Sequence, residues 1–377
     1  MDLTALLLRA AARRPHVLLV PAPGGAAVRL AVEAELARRG WPLALAPADA
    51  DILAVAGVPG PELSDVVETV WEQVPAPRAS AVLARSADVR AALDHAAAAL
   101  ADAGRQRSDA AVGQPRRKGE EHTGPDEHAG RKGHGGGVDG HAENATHSGG
   151  EHGGHEEHGG GGHHGHHGGG MALPGGLSMA DLGEDRDGLT LDRLHVVLGP
   201  VLPDWPAGLV VRVTLQGDVI QEAVVELLDP GHHVREDLPA AVIELDGLAR
   251  FLGVAGWVDA AARCRAVRDR LQVAPTDRPA IVDGLALVAR MRRSRLLRWS
   301  LRGARAGGTD VAELAGHRLA SARDALDGVS ATPRGAVDEG TLASALVGAE
   351  FAAARLIVAV MDLRTGATEP VGEAGHG

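Results

Sequence analysis

Between Gly104 and Gly176 the chain shows no apolar periodicity, and this break limits the fold more than any motif does. Twelve of its 19 histidines fall between His122 and His167, and 17 of the residues from Gly133 to Gly170 are glycine. Such a stretch buries too little hydrocarbon to offset the entropy of ordering it, so residues 104–176 are expected to be a disordered His/Gly-rich linker. Two separate domains, 1–103 and 177–377, are expected on either side of it.

The rest of the composition is that of an ordinary folded chain, with 45% apolar and 23% charged residues. One cysteine, Cys264, leaves no intramolecular disulfide framework, no usual cysteine-ligated zinc site and no four-thiolate iron–sulfur cluster within this chain. A net charge of −12 argues against a nucleic-acid partner, because phosphate neutralisation needs a cationic face. No uninterrupted apolar run approaches the length of a membrane span. The start, MDLTALLLRAAARRPHVLLV, carries its arginines after the apolar stretch, unlike a secretory signal, so a cytoplasmic location is expected. There are two lysines, Lys118 and Lys132, and no tyrosine. Arginine-for-lysine usage together with many alanines is the mark of a GC-rich genome, so individual arginines need carry no meaning.

The first block alternates strands and helices. His16–Val20, Asp51–Gly57 and Ala79–Ala84 are short apolar runs, separated by helical stretches over AVRLAVEAELARRG, Glu62–Gln73 and then Asp88–Leu100. This order predicts a parallel-sheet, flavodoxin-like α/β domain with ligands beyond the carboxyl ends of its strands. The loop Pro21-Ala22-Pro23-Gly24-Gly25 falls there, but lacks GxGxxG spacing and a Walker lysine; its glycines are read as permitting a tight turn. In the second block Leu194–Leu198, Leu209–Leu215 and Val219–Leu227 alternate as strands, the last two joined by a hairpin across Gln216-Gly217-Asp218. Helical periodicity follows over Ala241–Leu252, Trp257–Leu271, Ile281–Arg302, Val311–Leu326 and Thr341–Val360. The expectation is an α+β domain: a short antiparallel sheet plus a helical bundle.

Residues Ala48–Val89 read ADADILAVAGVPGPELSDVVETVWEQVPAPRASAVLARSADV. They resemble the core of the 20 kDa subunit of respiratory complex I (NADH-quinone oxidoreductase) and the small subunit of nickel–iron hydrogenases. In those chains an ADxLxVxG strand leads through a helix to YxQMPxPxxVIAxGxCA, and Trp71-Glu72-Gln73-Val74-Pro75-Ala76-Pro77-Arg78 carries most of the likeness. The second block opens RDGLTLDRLHVVLGPVLPDWPAGLVVRVTLQGDVIQEAVVEL, which resembles the opening of the complex I 49 kDa subunit and the hydrogenase large subunit. There GPQHPxxHG precedes a hairpin RLxLxLDGEVV; Gly199-Pro200, Pro203 and Gly217-Asp218-Val219 fall into step with it, and Gly208 comes one place late. The stretches LDGLARFLGVAGW and RLLRWSLRGARAGG are similar in kind to that family's ELxRIxxHL and NRIxxxRTxGxG helices.

The resemblance implies two partner subunits fused in order on one chain, packed on one another and on other subunits of an oxidoreductase assembly, peripheral to a membrane at its cytoplasmic face. It does not carry over the redox centres. Where that family places cluster cysteines this chain has Ala22-Pro23-Gly24-Gly25 and Ala84-Arg85-Ser86-Ala87. In step with the two motif histidines are Leu202 and Pro206, the quinone-site tyrosine has no counterpart, and the nickel–iron cysteine pairs are missing. The family is one of oxidoreductases; from this chain alone no cluster, and no catalysis by the family route, is expected.

Among chemically distinctive features the tract GGEHGGHEEHGGGGHHGHHGGG stands first. His152, His155, His158, His163, His164, His166 and His167 are candidate ligands for Ni²⁺ or Zn²⁺, in shifting sets on a backbone that must be ordered on binding. The alternative is a low-complexity linker without metal function, and His155-Glu156-Glu157-His158 lacks the HExxH spacing of a protease. Arg290, Arg292, Arg293, Arg295, Arg298, Arg302 and Arg305 form a run without acids between Asp283 and Asp310. On a helix Arg295, Arg298, Arg302 and Arg305 share one face, with Leu297 and Leu301 on another: a docking face for an acidic partner or anionic lipid, or a solvated face paired within the chain. His232-His233 reads as a turn, Asp185-Arg186-Asp187-Gly188 also as a turn, and Cys264 as a small packed side chain among arginines. Glu350 and Arg355 interrupt an apolar helix, as a salt bridge or as a rim arginine reaching solvent.

Overall fold

The computed structural model describes residues 8–112, 181–184, 190–232, 238–329, 337–361 and 363. The histidine tract, and with it every candidate metal ligand from His152 to His167, lies outside the described residues, as do His233 and Asp185-Arg186-Asp187-Gly188.

In the first block three parallel strands, β1 (Val17–Pro21), β2 (Ile52–Ala56) and β3 (Ala79–Leu83), pair in that order, with Val17 opposite Ile52 and Ile52 opposite Ala79. On the free side of β1, Leu43 bridges Val17 in parallel through Val17 N–H to Pro42 O and Ala44 N–H to Val17 O, both 2.9 Å. Period-2 alternation divides the sheet into two faces. Val17, Ile52, Ala54 and Ala56 pack with Val28, Val32 and Leu36 of α1 (Ala26–Arg39) and Leu93 and Leu100 of α3 (Val89–Ala101). Leu18, Val20, Leu53 and Val55 pack with Leu63 and Val70 of α2 (Pro61–Gln73). All five residues of β2 are buried, as a central strand between two helical layers requires. Helix α1 ends where expected, on Gly40 in the left-handed region at φ 67°.

The expected boundary at residue 103 gives way to a further helix, α4 (Ala103–Val112). Asp102 Oδ1 accepts the N–H groups of Gly104 (2.9 Å) and Arg105 (3.2 Å), so it caps this helix. The buried Gln106 amide then accepts from Arg78 N–H at 2.9 Å and donates to Arg78 O and Ala99 O, both at 3.0 Å. One polar side chain thus anchors a helix that apolar periodicity does not announce.

In the second block four antiparallel strands run β4 (Asp181–Glu184), β5 (Thr190–Leu198), β6 (Leu209–Gln216) and β7 (Val219–Leu227), with Gly217 at φ 62° turning the expected hairpin. Helices α5 (Ala240–Val254), α6 (Val258–Val273), α7 (Arg278–Arg293), α8 (Arg295–Ser300), α9 (Val311–Leu326), α10 (Glu339–Leu346) and α11 (Phe351–Met361) follow. Two stretches expected as continuous helices are broken. Ser294 leaves helical geometry and accepts Leu297 N–H at 3.1 Å, separating α7 from α8. Gly348, Ala349 and Phe351 instead pair with the start of β7, through Gly348 N–H to Ile220 O (2.8 Å), Ile220 N–H to Ala349 O (2.9 Å) and Phe351 N–H to Asp218 O (2.7 Å). The strand edge needs partners for these groups, and the helix gives up a turn to supply them. Arg305 leaves α8 altogether for a two-strand hairpin, β8 (Arg305–Ala306) with β9 (Thr309–Asp310).

The two blocks expected as separate domains cluster as one compact unit, 1–114 with 180–377. Leu30 of α1 is buried in the same core as Trp205, Leu209 and Leu245 of the second block, while Val201 and Leu228 pack against the first-block core. Among the described residues no helix is long and apolar enough to cross a membrane.

Candidate functional site

Helix α1 is buried on two sides: Val28, Val32 and Leu36 turn to the sheet, and Arg29, Leu30 and Glu33 turn to α5 and α6. Arg29 binds Glu33 Oε1 at 2.5 Å, one helical turn on, and Asp246 Oδ2 of α5 at 2.6 Å. Arg268 of α6, fully buried, binds Asp246 Oδ1 at 2.7 Å, Glu33 Oε2 at 2.8 Å and Asp269 Oδ1 at 2.8 Å. Arg250 Nε lies 3.3 Å from Asp246 Oδ2, and Arg265 binds Asp204 and approaches Glu33 at 3.8 Å. Four guanidiniums thus meet four carboxylates in a seam joining the first block to the second.

The electrostatics of this seam are uneven. Burial by itself raises the Asp246 carboxyl, but Arg29, Arg250 and Arg268 together outweigh it and hold Asp246 far below the carboxylate range. Glu33 behaves alike: burial is overcome by Arg29 and Arg268, and its pKa falls. At Asp204 and Asp269 burial wins over the nearby Arg265 and Arg268, and both pKa values rise. Asp246 and Glu33 are the anions on which the seam depends, because each touches the buried Arg268 and the half-buried Arg29.

A second join lies at the start of α2. Asp229, buried and at φ 50°, accepts Glu62 N–H at 3.0 Å and Leu63 N–H at 3.1 Å, while Glu62 Oε2 accepts Asp229 N–H at 2.5 Å. This is the reciprocal logic of a capping box, executed by a residue from the other block. Gly60 must lack a Cβ, which would fall 2.3 Å from the Asp229 carboxylate carbon. Of the three helices that follow the carboxyl ends of the parallel strands, α1 and α2 are therefore engaged by the second block.

The loop after β1 is packed tightly at Gly25. A Cβ on Gly25 would lie 2.4 Å from Ala56 O and 3.0 Å from Gly57 Cα, so the loops after β1 and β2 meet backbone to backbone. The tight turn expected at Gly24-Gly25 is present, with Gly24 at φ 71° and Gly25 N–H bonded to Ala22 O at 3.0 Å. In the loop before β6, Leu202 is half-buried and Pro206 buried, Trp205 donates its indole N–H to Leu209 O at 2.7 Å, and Asp204 joins the seam.

Cys264 is buried in α6, and burial pushes its thiol up to about 12 against the opposite pull of Arg265 and Arg268. A folded sample at pH 8 is expected to resist an aromatic disulfide reagent and to react stoichiometrically only on unfolding. Prompt labelling of the folded chain would contradict this burial. Arg355 takes neither expected role, since it donates to Pro203 O at 2.6 Å across the core.

One polar row escapes sequence reasoning. Thr214 donates to Glu222 Oε2 at 3.2 Å and lies 3.3 Å from His195 Nδ1, so with its hydrogen committed to Glu222 it accepts from that ring. The three stand side by side on β5, β6 and β7, and cross-strand pairing is all the arrangement requires. No group of three or more His, Cys, Asp or Glu suited to a metal ion occurs among the described residues. Comparison with protein families, with curated proteins and with solved structures finds no match to this chain.

Proposed function

We propose that the chain is a cofactor-poor, non-catalytic component of an oxidoreductase assembly, a fused relative of the adjoining complex I 20 kDa and 49 kDa subunits and of the hydrogenase small and large subunits. The observation that carries this reading is the close packing of the loops after β1 and β2 at the carboxyl edge of the parallel sheet. Where the resemblance puts redox ligands, the Ala22–Gly25 loop packs against Ala56 and Gly57, and Asp204 of the loop after Gly199-Pro200 is drawn into the ionic seam. The strand order, with Leu43 outside β1, supports the flavodoxin-like reading of the first block. A four-iron cluster does not fit these residues, because the lone thiol is buried in α6 and no other exists. In this reading the chain works at the cytoplasmic face of a membrane through partner subunits, as a rigid spacer whose two halves cannot separate.

The test is isolation of the full-length chain from its own cells under mild detergent. Co-isolation of oxidoreductase subunits at fixed stoichiometry, without iron or acid-labile sulfide assigned to this chain, is the expected result. Stoichiometric iron and sulfide on the purified chain, or a chain that isolates alone, would overturn the proposal.

A second reading rests on the twelve histidines between His122 and His167: a nickel- or zinc-buffering protein acting through that tract. Deleting residues 122–167 separates the two, since loss of metal-dependent growth with an intact assembly favours buffering, and unchanged growth rejects it.

A further inference from the structure

The arginine run between Asp283 and Asp310 is not used by the seam. Among the described residues none of Arg290, Arg292, Arg293, Arg295, Arg298 and Arg302 pairs with a carboxylate, and all are exposed. The nearest acids in sequence are already engaged: Asp283 binds Arg270 at 2.8 Å, and Asp310 accepts Ala312 N–H at 2.7 Å. Pairing within the chain therefore does not account for this charge. Leu297 and Leu301 are buried, which turns the opposite side of α8 outward. On that side Trp299 is 63% exposed between Arg295 and Arg302, and Leu296 beside it is 72% exposed.

We propose that α8 and the end of α7 form a direct contact with an anionic lipid surface. An acidic protein would be served by the arginines alone. The structure adds a large indole and a leucine held in water among the cations, and this combination matches a bilayer interface, where guanidiniums meet lipid phosphates and the indole enters the headgroup layer. With a net charge of −12 on the whole chain, attraction to an anionic surface has to come from a cationic face such as this one. The inference stands on this patch alone and does not depend on the assembly reading.

The full-length protein is mixed with vesicles of phosphatidylglycerol and phosphatidylcholine in equal parts, or of phosphatidylcholine only, at pH 8, where histidines are neutral. Flotation with the anionic vesicles alone, released by about 0.5 M salt, is expected. Reversing three charges (Arg295→Glu, Arg298→Glu, Arg302→Glu) is expected to lower partitioning by more than about two orders of magnitude, at about fivefold for each arginine lost and further for the repulsion of each glutamate gained. Trp299→Ala lowers it by about tenfold while leaving the charge intact. These residues are exposed, so unchanged thermal unfolding confirms that each variant is folded. The proposal is overturned if the wild-type chain stays unbound at low salt, if the triple variant floats equally well, or if Trp299→Ala has no effect while polyglutamate binds the arginines.

Discussion

Replacing Asp246 with alanine is expected to lower the free energy of unfolding by about 3–5 kcal/mol, because it removes one partner from a buried ionic cluster and leaves the others uncompensated. Asp246 is shared by Arg29, Arg250 and Arg268, and Arg268 has no access to solvent. A loss of that size is a large part of the roughly 5–15 kcal/mol that holds an average domain folded. Urea unfolding followed by tryptophan fluorescence measures it, and a loss under about 1 kcal/mol would mean that water reaches the seam. The double replacement Asp246→Leu with Arg268→Met is expected to recover part of the loss, since a well-packed apolar pair carries no desolvation penalty. Non-additivity between the two substitutions then distinguishes a coupled seam from two independent defects.

The second large effect is on the pH dependence of stability. Glu33 and Asp246 have folded pKa values below their unfolded ones, so their contribution is fully present above about pH 4 and is lost as the pH falls through the folded values. Glu35, held at about 2 first by Arg38 and, against burial, by Arg39, adds a loss between about pH 4 and 2. Asp204 and Asp269 work in the opposite sense: their folded pKa values are raised, so what they contribute is present below about pH 4 and lost as the pH rises through those values. The expected profile therefore falls steeply below pH 4 and flattens just above it. Urea midpoints at half-unit steps from pH 2.5 to 7 test this, and a profile level down to pH 2.5 would remove the seam as a source of stability. In Asp246→Ala the acid limb is expected to shrink, which ties the slope to this carboxylate.

Much of the fold was legible one element at a time. The three strands and three main helices of the first block, the hairpin at Gly217-Asp218 and α9 lie within a residue or two of where apolar period and turn residues put them. The departures share a cause. Helix α4 depends on Gln106 reaching Arg78 and Ala99, the break at Ser294 on a side-chain cap, and the break after Leu346 on the unpaired edge of β7. Each is a polar group satisfied by a particular neighbour, and periodicity carries no signal of that. Only Asp102 and Ser294, both capping residue types, offered a local clue.

The seam was harder still. Arg29 and Asp246 are 217 residues apart, and in a chain with almost no lysine an arginine attracts no notice. Glu244 and Asp246 in the apolar run AAVIELDGLARFLGV were the visible anomalies, since carboxylates on a buried helix face require partners that the run itself does not supply in full.

By itself, then, the amino-acid sequence determined the kind of each block and that this chain has too few thiols to hold an iron–sulfur cluster alone, because periodicity and thiol count are local properties. Only the tertiary structure decided that the blocks close on one another through buried charge, and that Trp299 and its arginines are left facing outward. Desolvation and ion pairing depend on which distant residues meet, and that is set when the helices pack.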